Sequence, residues 1–138
     1  MKKAFVFLAN GFEEIEALAT VDVLRRAGIE VKTVSITEEL QVNGAHGVPV
    51  IADSIFANND YANTDWLILP GGMPGAPNLA ACKQLTELLT VHHAQGGNIA
   101  AICASPAVVL SPLGILEGKE ATCYPGFESG MNCKKAGF

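Results

Sequence analysis

The sequence predicts a three-layer α/β domain of the doubly wound type, with helices on both faces of a parallel sheet. Three observations carry that prediction. The opening stretch reads as apolar strand, helix, apolar strand within about 33 residues, a β-α-β unit that calls for parallel pairing and a right-handed crossover. Short apolar runs then recur, cut off at Asn10-Gly11 and Pro70-Gly71-Gly72, while Gly96-Gly97 closes the long helix between them and the next run. Finally, Gly96–Pro106 (GGNIAAICASP) breaks from strand into helix at a single cysteine, Cys103.

In chain order, Ala4–Ala9 (AFVFLA) is the first core strand. Glu13 opens a helix to about Ala27, with acids at the positive end of its dipole and Gly28 as its stop. Ile29–Ile36 alternates as the second strand. Asn43-Gly44, set between Gln41-Val42 and Val48–Ala52, signals a small hairpin at the sheet edge. Trp66–Leu69 is the third strand. A long helix is expected from Ala81 to Gln95, with Leu85, Leu88 and Leu89 as its core stripe. Asn98–Ile102 suits a strand buried on both faces, and a helix through Val108-Val109-Leu110 follows Cys103 until Pro112 interrupts it. Glu120–Cys123 reads as a fifth strand and Gly126–Lys135 as an amphipathic end piece.

At 138 residues the chain is expected to form one domain spanning 1–138. A net charge of −5 and the absence of any dense Lys/Arg cluster, Arg25-Arg26 and Lys134-Lys135 being isolated pairs, argue against nucleic acid as a partner. No apolar run approaches the ~18 residues of a membrane span. Ala4–Ala9 is too short for a signal peptide, so a cytoplasmic location is expected. Cys82, Cys103, Cys123 and Cys133 show neither a disulfide framework nor zinc-ligand spacing, and no metal or cofactor is expected.

In a doubly wound fold the carboxyl ends of the strands collect functional groups. Three loops would converge there: Asn10–Glu16, Pro70–Asn78 and the Cys103 turn. Cys103 would sit at a strand end and a helix mouth, where N–H groups favour a thiolate. By position alone a small buried hydrophobe and a nucleophile are equally good readings of it. Gly71 and Gly72 could present backbone N–H groups toward its sulfur, or could form a plain flexible turn. Glu16 could point inward and, beside a thiolate, hold a proton and donate it to sulfur. Spacing alone favours a solvated Glu16. His92-His93 reads as an exposed pair near a helix end, and no motif places a histidine beside Cys103.

LANGFEEIE, VDVLRRAGIEV, LILPGGMPGAPNL, GNIAAICASP and ATCYPGFE together resemble the ThiJ/PfpI superfamily, most closely the branch of the parkinsonism-associated protein deglycase and its bacterial relatives. The resemblance runs along essentially the whole chain. It implies a flavodoxin-like fold, a homodimer and an oxidation-prone cysteine in a strained elbow. Carried over, Cys103 is the nucleophile, Glu16 the protonated acid that hydrogen-bonds it, and Gly71, Gly72 and Ala104 the backbone support; Tyr124, His46 and Arg26 are further candidates to line the site. Ala104 stands where the protease-like branch has histidine, and Tyr124 where some relatives have one. His46 stands where some carry an arginine that reaches in from the neighbouring subunit. Family members usually continue further, so the resemblance implies a chain truncated at its C-terminus, with a separate C-terminal fragment as a partner that could complete the fold.

The expected function is a cysteine-dependent glyoxalase or deglycase acting on methylglyoxal-like carbonyls or their protein adducts. The alternatives are an oxidative-stress sensor or redox-regulated chaperone using Cys103, and, less favoured, a peptidase or amidase.

Overall fold

The computed structural model describes residues 2–136. The sequence readings at Met1, Gly137 and Phe138 lie outside them. A five-stranded parallel sheet has the order β5-β2-β1-β6-β7, built from β1 (Lys3–Leu8), β2 (Glu30–Ser35), β5 (Ser54–Ile55), β6 (Trp66–Leu69) and β7 (Asn98–Ala101). Strand β1 is central, and its alternating side chains feed two cores. Phe5 and Phe7 enter one with Leu67, Leu69, Leu85 and Leu89; Ala4, Val6 and Leu8 enter the other with Ala17, Val21 and Val42.

Helix α1 (Glu14–Arg26) crosses from β1 to β2. Glu13 caps it, its carboxylate accepting the Glu16 N–H at 2.8 Å, while Arg25 and Arg26 sit at the negative end of the dipole. From β2 the chain moves on to β5, then returns across the sheet to β6. The direction of winding therefore switches between β1 and β6, and the loops leaving these two strands face each other there.

The helix expected over Ala81–Gln95 is two helices, α2 (Gly75–Ala81) and α3 (Lys83–Ala94), broken at Cys82, whose ψ of 102° is extended. Pro77 lies in the first turn of α2, where a missing N–H is tolerated, so helix begins earlier than the prolines suggest. Leu85 and Leu89 are fully buried as the stripe predicts. His92, expected to be exposed, is 7% exposed, with its ring packed against Gly97 and Nε2 3.0 Å from the Asn98 carbonyl.

The hairpin forms its own two-stranded sheet, β3 (Gln41–Asn43) against β4 (Pro49–Ile51). It is clipped to the loop after β1: Gly11 N–H donates to Asn43 O at 2.8 Å, and Ala45 N–H to Phe12 O at 2.7 Å.

Two strand expectations are corrected. β7 is an edge strand rather than one buried on both faces: Ile102, just beyond it, is 51% exposed, and nothing among the described residues covers the outer side of β6 and β7. A cavity of about 390 Å³ opens there, lined mainly by apolar side chains including Leu24, Ile29, Trp66 and Ile68. The strand read at Glu120–Cys123 shrinks to β8 (Glu120–Ala121), which pairs with β9 (Lys134–Lys135) away from the main sheet; β5 supplies the fifth strand instead. After Cys103 the chain makes a π-helical turn, Pro106–Leu110, and a 3₁₀ turn, Ser111–Leu113, in place of an extended α-helix.

Candidate functional site

The three loops expected to meet do meet at the carboxyl end of the sheet. Glu13 N–H donates to Gly71 O at 2.9 Å and Gly75 N–H to Gly11 O at 3.1 Å, locking the loop after β1 to the loop after β6. Gly72 has φ +104°, and a side chain there would run into the Glu13 amide and the Gly11 carbonyl. Glycine is required at this close crossing.

Cys103 has φ +63° and is the one non-glycine residue among those described with a positive φ. A Cβ-bearing residue in this region carries backbone strain that its surroundings must hold in place. Two bonds do so. The buried Ser105 Oγ donates to Pro70 O at 2.6 Å, and Tyr124 N–H donates to Cys103 O at 2.8 Å. The half-buried thiol is pushed above its ordinary range, first by burial and then by the charge and hydrogen bond of Glu16; the N–H groups of Ala104 and Gly72 pull the other way.

Glu16 reaches this point from the first turn of α1. Its Oε1 accepts the Gly71 N–H at 2.9 Å. Gly71 is the pivot of the group, since a Cβ there would lie 2.6 Å from Cys103 Cβ and 2.8 Å from Glu16 Oε1. The arrangement offers a strained sulfur nucleophile, two backbone donors aimed at it and a carboxyl group within proton-transfer reach. A cavity of about 330 Å³ opens beside it, lined by Glu16, Cys103, Pro106, Thr122, Cys123 and Tyr124 among others. The larger apolar cavity shares Ala101 and Ile102 with this one but lacks its polar groups.

Cys103, Glu16, Gly71, Gly72, Ala104 and Tyr124 therefore come together. Arg26 and His46 do not join them. Arg26 lies at the far end of α1, its Nε 3.1 Å from Asp22 Oδ1, because ten residues of helix separate it from Glu16. His46 sits on the hairpin, its Nδ1 2.9 Å from Glu14 Oε1 and 3.8 Å from Glu13 Oε1. Sequence reasoning passed over Ser105, whose signal was a hydroxyl residue two positions after the cysteine, and Cys123, which no spacing rule connects to Cys103.

Glu14, 7% exposed, also accepts the backbone N–H groups of His46 at 2.7 Å and Val48 at 3.2 Å. Burial alone would raise its carboxyl; the bonds from the His46 ring and the surrounding amides outweigh that and bring it down to about 2. The bond to Glu14 and its negative charge raise the His46 imidazole. Glu13, Glu14 and His46 bring one ligand atom each within 4.8 Å of one another, a possible cation set whose carboxylates are already occupied by the helix cap and the hairpin.

The described geometry has close counterparts. The chain is 39% identical over 126 residues to Protein DJ-1 homolog B of Arabidopsis thaliana, covering 91% of this chain and 29% of that protein. It is 38% identical over 124 residues to the glutathione-independent glyoxalase DJR-1.2 of Caenorhabditis elegans, covering 89% of this chain and 64% of that one. The chain thus spans less than two thirds of either relative. The solved structure of Toxoplasma gondii DJ-1 in oxidised form superposes with a TM-score of 0.92 at 44% identity, over 95% of this chain and 71% of its own. The DJ-1/PfpI family model matches residues 2–138, and with the parallel sheet and the cysteine elbow in place the chain belongs to the DJ-1/PfpI family.

Proposed function

We propose that this chain carries the reacting centre of a glyoxalase or deglycase-type enzyme that acts on methylglyoxal-like carbonyls or their protein adducts. The observation that carries the reading is Cys103, held at φ +63° with the Glu16 carboxyl packed beside it around Gly71 and the N–H groups of Gly72 and Ala104 nearby. The relative named as a glutathione-independent glyoxalase supports it.

A sulfur and a carboxyl set on either side of Gly71 and partly buried share one proton more readily than they hold two negative charges. With the proton on Glu16, the Cys103 thiolate adds to the aldehyde carbon of methylglyoxal and the alkoxide takes up that proton, giving a hemithioacetal. The Glu16 carboxylate then moves the proton from the former aldehyde carbon to the neighbouring carbonyl system, which yields a thioester of lactate. Water cleaves the thioester to lactate and restores the thiol, so the net reaction consumes one methylglyoxal and one water. A homodimer in the cytoplasm belongs to the same proposal and rests on family resemblance.

The test is turnover of methylglyoxal to lactate by reduced protein, with Cys103→Ser and Glu16→Gln as controls. Turnover lost in Cys103→Ser and reduced by about 10²-fold or more in Glu16→Gln is expected. Equal turnover in all three would sink the reading. A second reading, a redox sensor using Cys103, is favoured by the strained and accessible thiol and by the relative solved in oxidised form. A peptidase is disfavoured because Ala104 follows the cysteine and, among the described residues, no histidine lines the Cys103 cavity.

A further inference from the structure

We propose that Cys123 is the resolving thiol for an oxidised Cys103, so that the two close a reversible disulfide across the candidate site. The inference rests on Cys103 being the reactive thiol of the reading above, and adds a second cysteine to it.

Both cysteines are free and both line the same cavity. The backbone joins their two segments, because Tyr124 N–H donates to Cys103 O at 2.8 Å. From each end of that bond to the neighbouring Cα, of residue 103 on one side and residue 123 on the other, is about 2.4 Å by standard bond lengths. Even a straight path therefore keeps the two Cα atoms within about 7.6 Å, and any bend of the kind found in strand ladders brings them into the roughly 4.4–6.8 Å range that a disulfide spans. The Cys123 thiol now donates to its neighbour's carbonyl, Tyr124 O, at 3.4 Å, a weak bond that one side-chain rotation breaks. Its segment follows β8 of the short β8–β9 ribbon, outside the main sheet, is joined to the elbow by that amide bond, and packs its side chain at the margin of the larger core.

The chemistry balances with a peroxide as the oxidant. The Cys103 thiolate attacks one peroxide oxygen, the O–O bond breaks, hydroxide leaves and Cys103 becomes a sulfenic acid. The Cys123 thiol, giving up its proton, attacks that sulfur; the S–O bond breaks, water leaves and the S–S bond forms. Two thiols lose two electrons and two protons, and hydrogen peroxide takes them up to become two waters. The disulfide would occupy the nucleophile and halt carbonyl chemistry until a dithiol reductant restores it. It would also compete with further oxidation of Cys103 to sulfinic acid. Cys133 packs in the same apolar cluster as Cys123 and is its rival partner.

The experiment treats reduced protein with one equivalent of hydrogen peroxide and then blocks free thiols with N-ethylmaleimide. Digestion uses trypsin together with a glutamate-specific protease, which cuts after Glu128 and so separates Cys123 from Cys133; the peptides are mapped by mass without reduction. A Cys103–Cys123 cross-linked peptide, two hydrogens lighter than the sum, is expected, together with recovery of Cys103 labelling after dithiothreitol. In Cys123→Ser, Cys103 should advance to the sulfinic acid several-fold faster. A Cys123–Cys133 disulfide, or sulfinic acid forming at the same rate with and without Cys123, overturns the proposal. Alkylation and methylglyoxal turnover of untreated protein separate the two failures. If both proceed at Cys103 yet no cross-link forms, only the resolving role falls; if neither proceeds, the reacting centre itself was misread.

Discussion

At the residue scale the site depends on a glycine as much as on its cysteine. Gly71 touches both chemical partners, and its N–H holds Glu16 in place. Gly71→Ala is predicted to push Cys103 and Glu16 apart. It should lower methylglyoxal turnover on the order of 100-fold, as small misplacements of reacting groups do, while overpacking costs about 1–3 kcal/mol in urea unfolding. Unaltered turnover in a folded Gly71→Ala protein would contradict the geometry. Cys103 and its motif were legible in the sequence because the strand-to-helix break is local. The inward aim of Glu16 was not legible from spacing, because it depends on where Gly71, 55 residues away, presents its amide. Ser105 was missed for the same reason: its partner, Pro70 O, is 35 residues distant.

At the element scale, the hairpin is held to the start of α1 by Glu14 and His46, and that clamp is pH-dependent. The imidazole is raised above its ordinary 6.5, so its contribution is fully present below about 6.5 and is lost as pH rises through the raised value. The Glu14 carboxyl is lowered to about 2 from 4.5, so its contribution is present above 4.5 and is lost as pH falls toward 2. The clamp should be tightest between these limits. NMR titration of the His46 ring is expected to give a value above 6.5 that falls back toward it in Glu14→Gln; no change in that variant would remove the clamp from the account. Helix α3 holds the opposite face through Leu85 and Leu89. Leu89→Ala should destabilise by about 2–5 kcal/mol in urea unfolding, with the Cys103 elbow little changed, since its anchors lie on other elements. The stripe on α3 was readable from its period. The break at Cys82 and the extra helix α2 were not, because the prolines and glycines of residues 70–77 read as a loop until their place in a first helical turn is seen.

At the scale of the whole molecule, the outer side of β6 and β7 is open and apolar, with Trp66 41% exposed. Trp66 is the single tryptophan, so its fluorescence reports on that face alone. For the 138-residue chain, acrylamide is expected to quench it readily. Resistance to quenching that appears only at high protein concentration would indicate that a second copy covers the groove; resistance at every concentration would show the face to be closed within one chain. The sequence anticipated a strand here but buried it on both sides, because an apolar run states that a strand wants cover and not whether cover is present.

What the sequence determined by itself was the parallel α/β architecture, the hairpin, the convergence of three loops and the cysteine at its elbow, all of which follow from local periodicity, glycine breaks and the right-handed crossover. What only the tertiary structure decided was which side chains share the space around that cysteine. Glu16 turns in to meet Gly71 and Arg26 stays away, His46 closes on Glu14, and the segment of Cys123 and Tyr124 bonds back to Cys103 to line the same cavity. The physical reason is that the contacts which form around the cysteine join elements separated in the chain, where the direction of a side chain is set by the register of a sheet and the packing of its faces rather than by its neighbours in sequence.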